Sequence, residues 1–233
     1  MKIQLLCLII FLVLFSPVIA QESESERETD VAVASETDQT PDVERATEPD
    51  RTKVPTKAVQ LPTIPDYLPP NEKALFSSAY SGDLAGVQAA LAKGASVNVA
   101  DQKKRTALML AASNGHNSVV EYLISEGAEI NARDGDNQTA LIYASKRSFN
   151  AVAAALLRSG AEVNVQSKKK GVSALMLAAV WNNVKLVNML LQHGADANLT
   201  DIFGRTAVVL AKKKGNTAVI EILSSSDTTE AGT

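Results

Sequence analysis

Cysteine is almost missing from this chain: the one residue, Cys7, lies in an apolar stretch near the N-terminal end. A disulfide scaffold, a thiolate metal site and a cysteine nucleophile are therefore excluded from everything after that stretch. Histidine is nearly as scarce, with two residues, His116 and His193, and neither has a His, Cys, Asp or Glu companion at ligand spacing. Aromatic residues make up 4% of the chain, so any core must be built from aliphatic side chains and alanine. Also missing are a Gly-x-Gly-x-x-Gly run, a Walker A sequence and a Gly-x-Ser-x-Gly elbow, which leaves nucleotide chemistry and serine hydrolysis without a starting point. Carboxylates are present, but Glu121, Glu126, Glu129, Asp134, Asp136 and Glu162 fall where solvent-facing loops and helix faces are expected, with no sheltered cleft to perturb them. The expectation is a non-enzymatic protein with no metal and no cofactor.

Charge is divided unevenly. Residues 21–60 hold eleven Asp or Glu against five Lys or Arg, whereas residues 71–233 hold fourteen acids against seventeen bases. The overall net charge of -3 thus conceals an acidic segment followed by a mildly basic one.

Lys2 precedes an apolar run from Ile3 to Phe15 interrupted by Gln4, and Ser16-Pro17 breaks it ahead of Val18-Ile19-Ala20. A positive start, a short apolar stretch and small residues before Gln21 are the pattern of a secretory signal peptide over residues 1–20. The run falls short of the ~20 residues that span a bilayer comfortably. A periplasmic or secreted protein without a membrane span after cleavage is expected, an uncleaved N-terminal anchor being the alternative. Residues 21–60 are rich in Glu, Ser, Thr, Asp and Pro and contain no aromatic residue. They offer too little apolar surface to offset a backbone entropy of about 1–2 kcal/mol per residue, which predicts a disordered acidic linker. Pro62, Pro65, Pro69 and Pro70 then stiffen a lead-in over 61–70.

From residue 71 the chain repeats itself. Gly94-Ala95, Gly127-Ala128, Gly160-Ala161 and Gly194-Ala195 recur at intervals of 33, 33 and 34 residues, each followed at one offset by Asn98, Asn131, Asn164 and Asn198. Thr106-Ala107-Leu108-Met109, Thr139-Ala140-Leu141-Ile142, Ser173-Ala174-Leu175-Met176 and Thr206-Ala207-Val208-Val209 superpose in the same frame. Self-similarity at this period marks a solenoid. Within one unit, Thr106 can cap a short helix carrying Leu108, Ala111 and Ala112 on one side, and Gly115 ends it. A second helix then holds Val119, Val120, Leu123 and Ile124 before Gly127. Such a pair cannot bury its apolar face alone, so neighbours must stack.

These residues resemble the ankyrin repeat, whose pattern runs Asp-x-x-Gly-x-Thr-Pro-Leu-His-x-Ala-Ala-x-x-Gly-His and closes on Leu-Leu-x-x-Gly-Ala-x-x-Asn. Asp101 to Asn131 follows it closely, and Asp201-Ile202-Phe203-Gly204-Arg205-Thr206 keeps the opening loop with its glycine. Alanine replaces the family's proline at Ala107, Ala140, Ala174 and Ala207, and its histidine is Met109, Ile142, Met176 and Val209, which predicts more apolar packing at each inner helix. The resemblance implies an all-α solenoid of about five stacked helix-turn-helix repeats with short hairpin-like loops over 71–224, ahead of a flexible tail at 225–233. An extra residue within Ser167–Val172 should bulge outward without moving the helices. His116, in the Gly-His place, and His193, at a helix C-terminus, read as structural, and Asp101, Asp134 and Asp201 as turn organisers.

Members of this family grip partners with loop tips and the inner-helix ridge. Those places carry over to Lys103, Arg105 and Asn114, to Lys146 and Arg147, to Val180 and Trp181, and to Phe203, Arg205, Lys213 and Lys214. Trp181, level with Asn114, Arg147 and Lys214, is the expected hot spot, with Phe203 extending its patch. The Lys-rich clusters favour an acidic protein partner, and a domain of such modest net charge disfavours nucleic acid. The function expected is a monomeric exported module that binds a protein and protects, positions or inhibits it; a self-associating or envelope-associated repeat rod is the competing reading.

Overall fold

The computed structural model describes residues 67–226. The expected signal segment, the acidic linker, most of the Pro-rich lead-in and the last residues of the expected tail lie outside the described residues. Within them the chain forms ten α-helices in five antiparallel pairs: α1 (Pro70–Ser81) with α2 (Leu84–Ala92), α3 (Ala107–Asn114) with α4 (Asn117–Ser125), α5 (Ala140–Lys146) with α6 (Asn150–Arg158), α7 (Ala174–Val180) with α8 (Val184–Gln192), and α9 (Ala207–Lys214) with α10 (Thr217–Ser226). Each odd-numbered inner helix packs on the next inner helix, and each even-numbered outer helix on the next outer one. The expected all-α solenoid is what the sequence builds.

Each inner helix begins at a side-chain cap. The hydroxyls of Thr106, Thr139, Ser173 and Thr206 accept from the backbone N–H groups of Met109, Ile142, Met176 and Val209, satisfying donors that a helix start leaves open. The same helices end where the chain turns left-handed, at Gly115, Ser148, Asn182 and Gly215. At Gly115 a side chain is also forbidden by space, since a Cβ there would sit 2.7 Å from the ring of Phe149, the N-cap residue of α6 in the next repeat. The first repeat departs from this scheme: α1 starts at Pro70 after Pro69, with no side-chain cap, and a second small cluster of Leu68, Phe76 and Leu110 closes that end.

Leu108, Leu141 and Leu175 are buried in one continuous core with Val120, Leu123, Leu156, Leu186 and Leu190. Alanines 111, 112, 144, 178 and 179, all buried, let neighbouring inner helices approach closely. The replaced family histidine does become core: Met109, Ile142 and Met176 are 1%, 2% and 1% exposed. Val209 is 44% exposed at the same place in the frame, because no further described repeat covers α9. A buried Leu or Met of this kind contributes about 1.5–3 kcal/mol, and only stacking removes it from water.

Two ladders join successive repeats. Asn98 accepts from the Glu129 N–H (2.8 Å) and donates to the Gly127 carbonyl (3.2 Å) of the following repeat. Asn131 does the same with Glu162 and Gly160, and Asn164 with Asp196 and Gly194. At the opposite edge the loop fingers pair, with the Gly135 N–H donating to Lys103 O, Lys168 to Asp136 O and Ile202 to Lys170 O. The longer loop at Ser167–Val172 is therefore stitched to a finger on each side, and Gln166 ties it further through the carbonyls of Gly171 and Thr200. It accommodates its extra residue without disturbing the packing of α7 between α5 and α9.

Candidate functional site

The fingers are organised by their aspartates. Asp101 accepts from the backbone N–H groups of Lys103 and Arg105 through one oxygen and from the Arg105 guanidinium through the other. Asp201 repeats the arrangement with Phe203 and Arg205. Burial alone would raise the Asp201 carboxyl, but the Arg205 guanidinium, the two backbone donors and the Arg205 charge hold it below the ordinary carboxylate range. The third repeat has Gln138 where these have arginine, and there the Tyr143 hydroxyl donates to the free Asp134 oxygen at 2.7 Å. Burial, followed by that bond to a carboxylate, pushes the Tyr143 phenol far above its usual range.

These bonds sort the expected contact residues. Arg105 and Arg205 are half-buried and paired within their own fingers, at 2.6 and 2.7 Å, so their guanidinium groups hold loop shape. Arg205 also lies over the Phe203 ring, 4.7 Å from its centroid, and Phe203 itself is 62% exposed at the finger tip. Asn114 spends its amide on the Leu110 carbonyl of its own helix. Lys103, Lys146, Arg147, Lys213 and Lys214 are exposed. Val180 is half-buried against the core, and Trp181 caps α7 with 41% of its surface exposed. The backbone under Trp181 is fixed from below, because Asn216 donates to both the Ala179 and Val180 carbonyls, at 2.7 and 3.1 Å. Arg147, Trp181 and Lys214 occupy equivalent places at the ends of three adjacent inner helices, as the repeat frame predicts.

Charge is segregated between the two sides of the stack. In the second to fifth repeats the fingers and inner helices (101–114, 134–147, 167–181 and 201–214) carry twelve Lys or Arg and four Asp. The outer helices and the turns after them (115–133, 148–166, 182–200 and 215–226) carry three bases and six acids. All four inner-side aspartates are engaged: Asp101 and Asp201 with arginine, Asp134 with Tyr143, and Asp136 with Lys169 at 2.9 Å. The lysines that remain therefore sum to a positive field over one side. A lysine at a helix C-terminus also eases the dipole, which accounts for Lys146 and for Lys212–Lys214 individually but not for the depletion of acids around them.

Both histidines sit at helix ends. The ring of His116 begins α4, lies over Gly82 and meets the Tyr80 carbonyl at 2.9 Å. His193 is the C-cap residue of α8. A shallow groove lined by Arg133, Asn137, Glu162 and Gln166 uses its polar groups internally, with Arg133 paired to Glu162 at 2.7 Å and Asn137 donating to the Gln166 carbonyl. Among the described residues no group of His, Cys, Asp or Glu could hold a metal ion, and no helix is long and apolar enough to cross a membrane.

A stack of capped helical hairpins, with loops organised by their own aspartates, defines a solenoid scaffold. The family model described as Ankyrin repeats (3 copies) matches residues 75–167, 133–201 and 150–232, and the chain belongs to the ankyrin-repeat family. Its fold is that of a protein–protein interaction module. Sequence reasoning missed the work of Arg105 and Arg205, though Asp-x-x-x-Arg stands at both 101–105 and 201–205 and was the signal for it.

Proposed function

We propose that this chain is an exported, monomeric adaptor that holds an acidic protein against the inner side of its repeats and so protects, positions or inhibits it. The charge segregation carries this reading: twelve bases against four internally engaged acids on the inner side of the second to fifth repeats, with an exposed tryptophan among them. The leader-like residues 1–20 support export, and the shared chemistry of the family supports a protein as the partner. Nucleic acid is disfavoured, because the inner side lacks the series of exposed aromatics on which successive bases stack.

Two measurements test it. Fractionation of the native cell with N-terminal sequencing should find a mature chain beginning at Gln21 outside the cytoplasm. The immobilised chain should capture an acidic protein whose affinity drops about tenfold or more in a variant carrying Lys146→Glu, Arg147→Glu, Lys213→Glu and Lys214→Glu, with its helical circular dichroism signal retained at the assay temperature. Equal capture by both forms would remove the inner ridge from the account.

A further inference from the structure

The partner-binding reading leaves open what the ridge recognises, and its geometry is specific enough to name a pattern. Arg147, Trp181 and Lys214 end three neighbouring inner helices at the same place in the frame. Packed helices lie about 8–10 Å apart, so the two cations flank the indole at about that distance on either side. Lys146 and Lys213 precede the two outer positions and double the charge there, while α7 contributes Val180 and Trp181 and no charge. The ridge therefore alternates basic, apolar and basic. The backbone beneath its apolar step is held by Asn216, which donates to the Ala179 and Val180 carbonyls.

An extended peptide advances about 3.3 Å per residue, so about three residues carry it from one helix end to the next. We propose that the ridge across α5, α7 and α9 is a docking site for an extended acidic protein segment in which an apolar side chain is flanked, about three residues away on each side, by Asp or Glu. This deepens the adaptor reading and rests on it. The apolar side chain packs on the Trp181 ring, and the flanking carboxylates pair with Lys146–Arg147 and Lys213–Lys214. Because the ridge is exposed, the charge pairs contribute mainly to selectivity and encounter rate, and the desolvated indole contact supplies the larger share of affinity. A segment with its carboxylates crowded beside the apolar residue reaches neither basic step while seated on Trp181.

Trp181 is the sole tryptophan of the chain, which makes its fluorescence a direct probe. The full chain is titrated with the peptide Glu-Glu-Ser-Ser-Leu-Ser-Ser-Glu-Glu and with its isomer Ser-Ser-Glu-Glu-Leu-Glu-Glu-Ser-Ser, both with blocked ends. The spaced peptide is expected to saturate, shift Trp181 emission to the blue and bind about tenfold more tightly than the crowded isomer, with affinity falling as salt rises. Arg147→Glu with Lys214→Glu, both exposed and outside the core, should abolish the difference between isomers while the chain stays folded at the assay temperature by circular dichroism. Equal binding of the two peptides overturns the spacing, and tighter binding of a single-stranded oligonucleotide than of the spaced peptide overturns the choice of a protein segment. If both peptides fail while a captured protein still depends on Lys146, Arg147, Lys213 and Lys214, the adaptor reading stands and this recognition pattern falls.

Discussion

Replacing Asn131 with alanine removes a two-bond bridge between the second and third repeats while leaving every core side chain in place. The lost bonds are the donation to the Gly160 carbonyl at 3.2 Å and the acceptance from the Glu162 N–H at 2.8 Å. Each net hydrogen bond is worth about 0.5–1.5 kcal/mol, and the freed backbone groups are exposed enough to find water, so the expected cost is about 1–2 kcal/mol. For a domain of this size that corresponds to a fall of about 2–8 °C in Tm, read by circular dichroism during heating and confirmed as a lower urea midpoint. Asn198 supplies the internal control. It occupies the same place in the frame, but its side chain bridges to no described residue, and the bond at that position is donated by its backbone N–H to Asp196. Asn198→Ala should therefore change Tm by less than about 1 °C, within the ordinary scatter of surface substitutions. Equal losses at the two asparagines would show that the residue acts through its own turn, and the inter-repeat ladder would carry no stability.

Other substitutions probe separate parts of the account. Leu141→Ala, in the continuous core, should cost about 2–5 kcal/mol by denaturant unfolding, whereas Val209→Ala on the uncovered face of α9 should cost under about 1 kcal/mol. Tyr143→Phe leaves one Asp134 oxygen without its O–H donor and should cost about 1–3 kcal/mol at neutral pH, with little effect from the same change at exposed Tyr67. Ser148→Gly relieves a left-handed residue with φ of 59° and should stabilise by about 0.5–1 kcal/mol, seen as a higher urea midpoint. The Asp201 carboxyl is held below the ordinary aspartate range in the folded chain, so its stabilising effect is present above that ordinary range and is lost as pH falls through the folded value. Asp201→Asn should accordingly lower stability at pH 7 and flatten the acid limb of the stability profile.

The fold was legible because its determinants are local and recur. The hydroxyl caps at 106, 139, 173 and 206, the Gly-Ala closures and the leucines at 108, 141 and 175 each report a backbone or burial requirement within one repeat, and repetition multiplies the signal. The burial of Met109, Ile142 and Met176 followed from their apolar chemistry in the same frame. Less was legible where function depends on pairing. Arg105 and Arg205 read as outward contacts because a guanidinium five residues into a loop looks exposed until its aspartate is placed beneath it. The recurrence of asparagine was visible, but its bridging role was not, since its partners lie about 30 residues away in the next repeat. The separation of charge was hidden for a similar reason: acids and bases alternate along the chain and separate only when inner and outer helices take opposite sides.

Hydrogen–deuterium exchange on the chain bound to its captured partner addresses the binding face directly. The account predicts new protection at the ends of α5, α7 and α9, around Arg147, Trp181 and Lys214, with the outer helices α4, α6 and α8 exchanging as before. Protection confined to those outer helices, with the inner ridge unchanged, would contradict it.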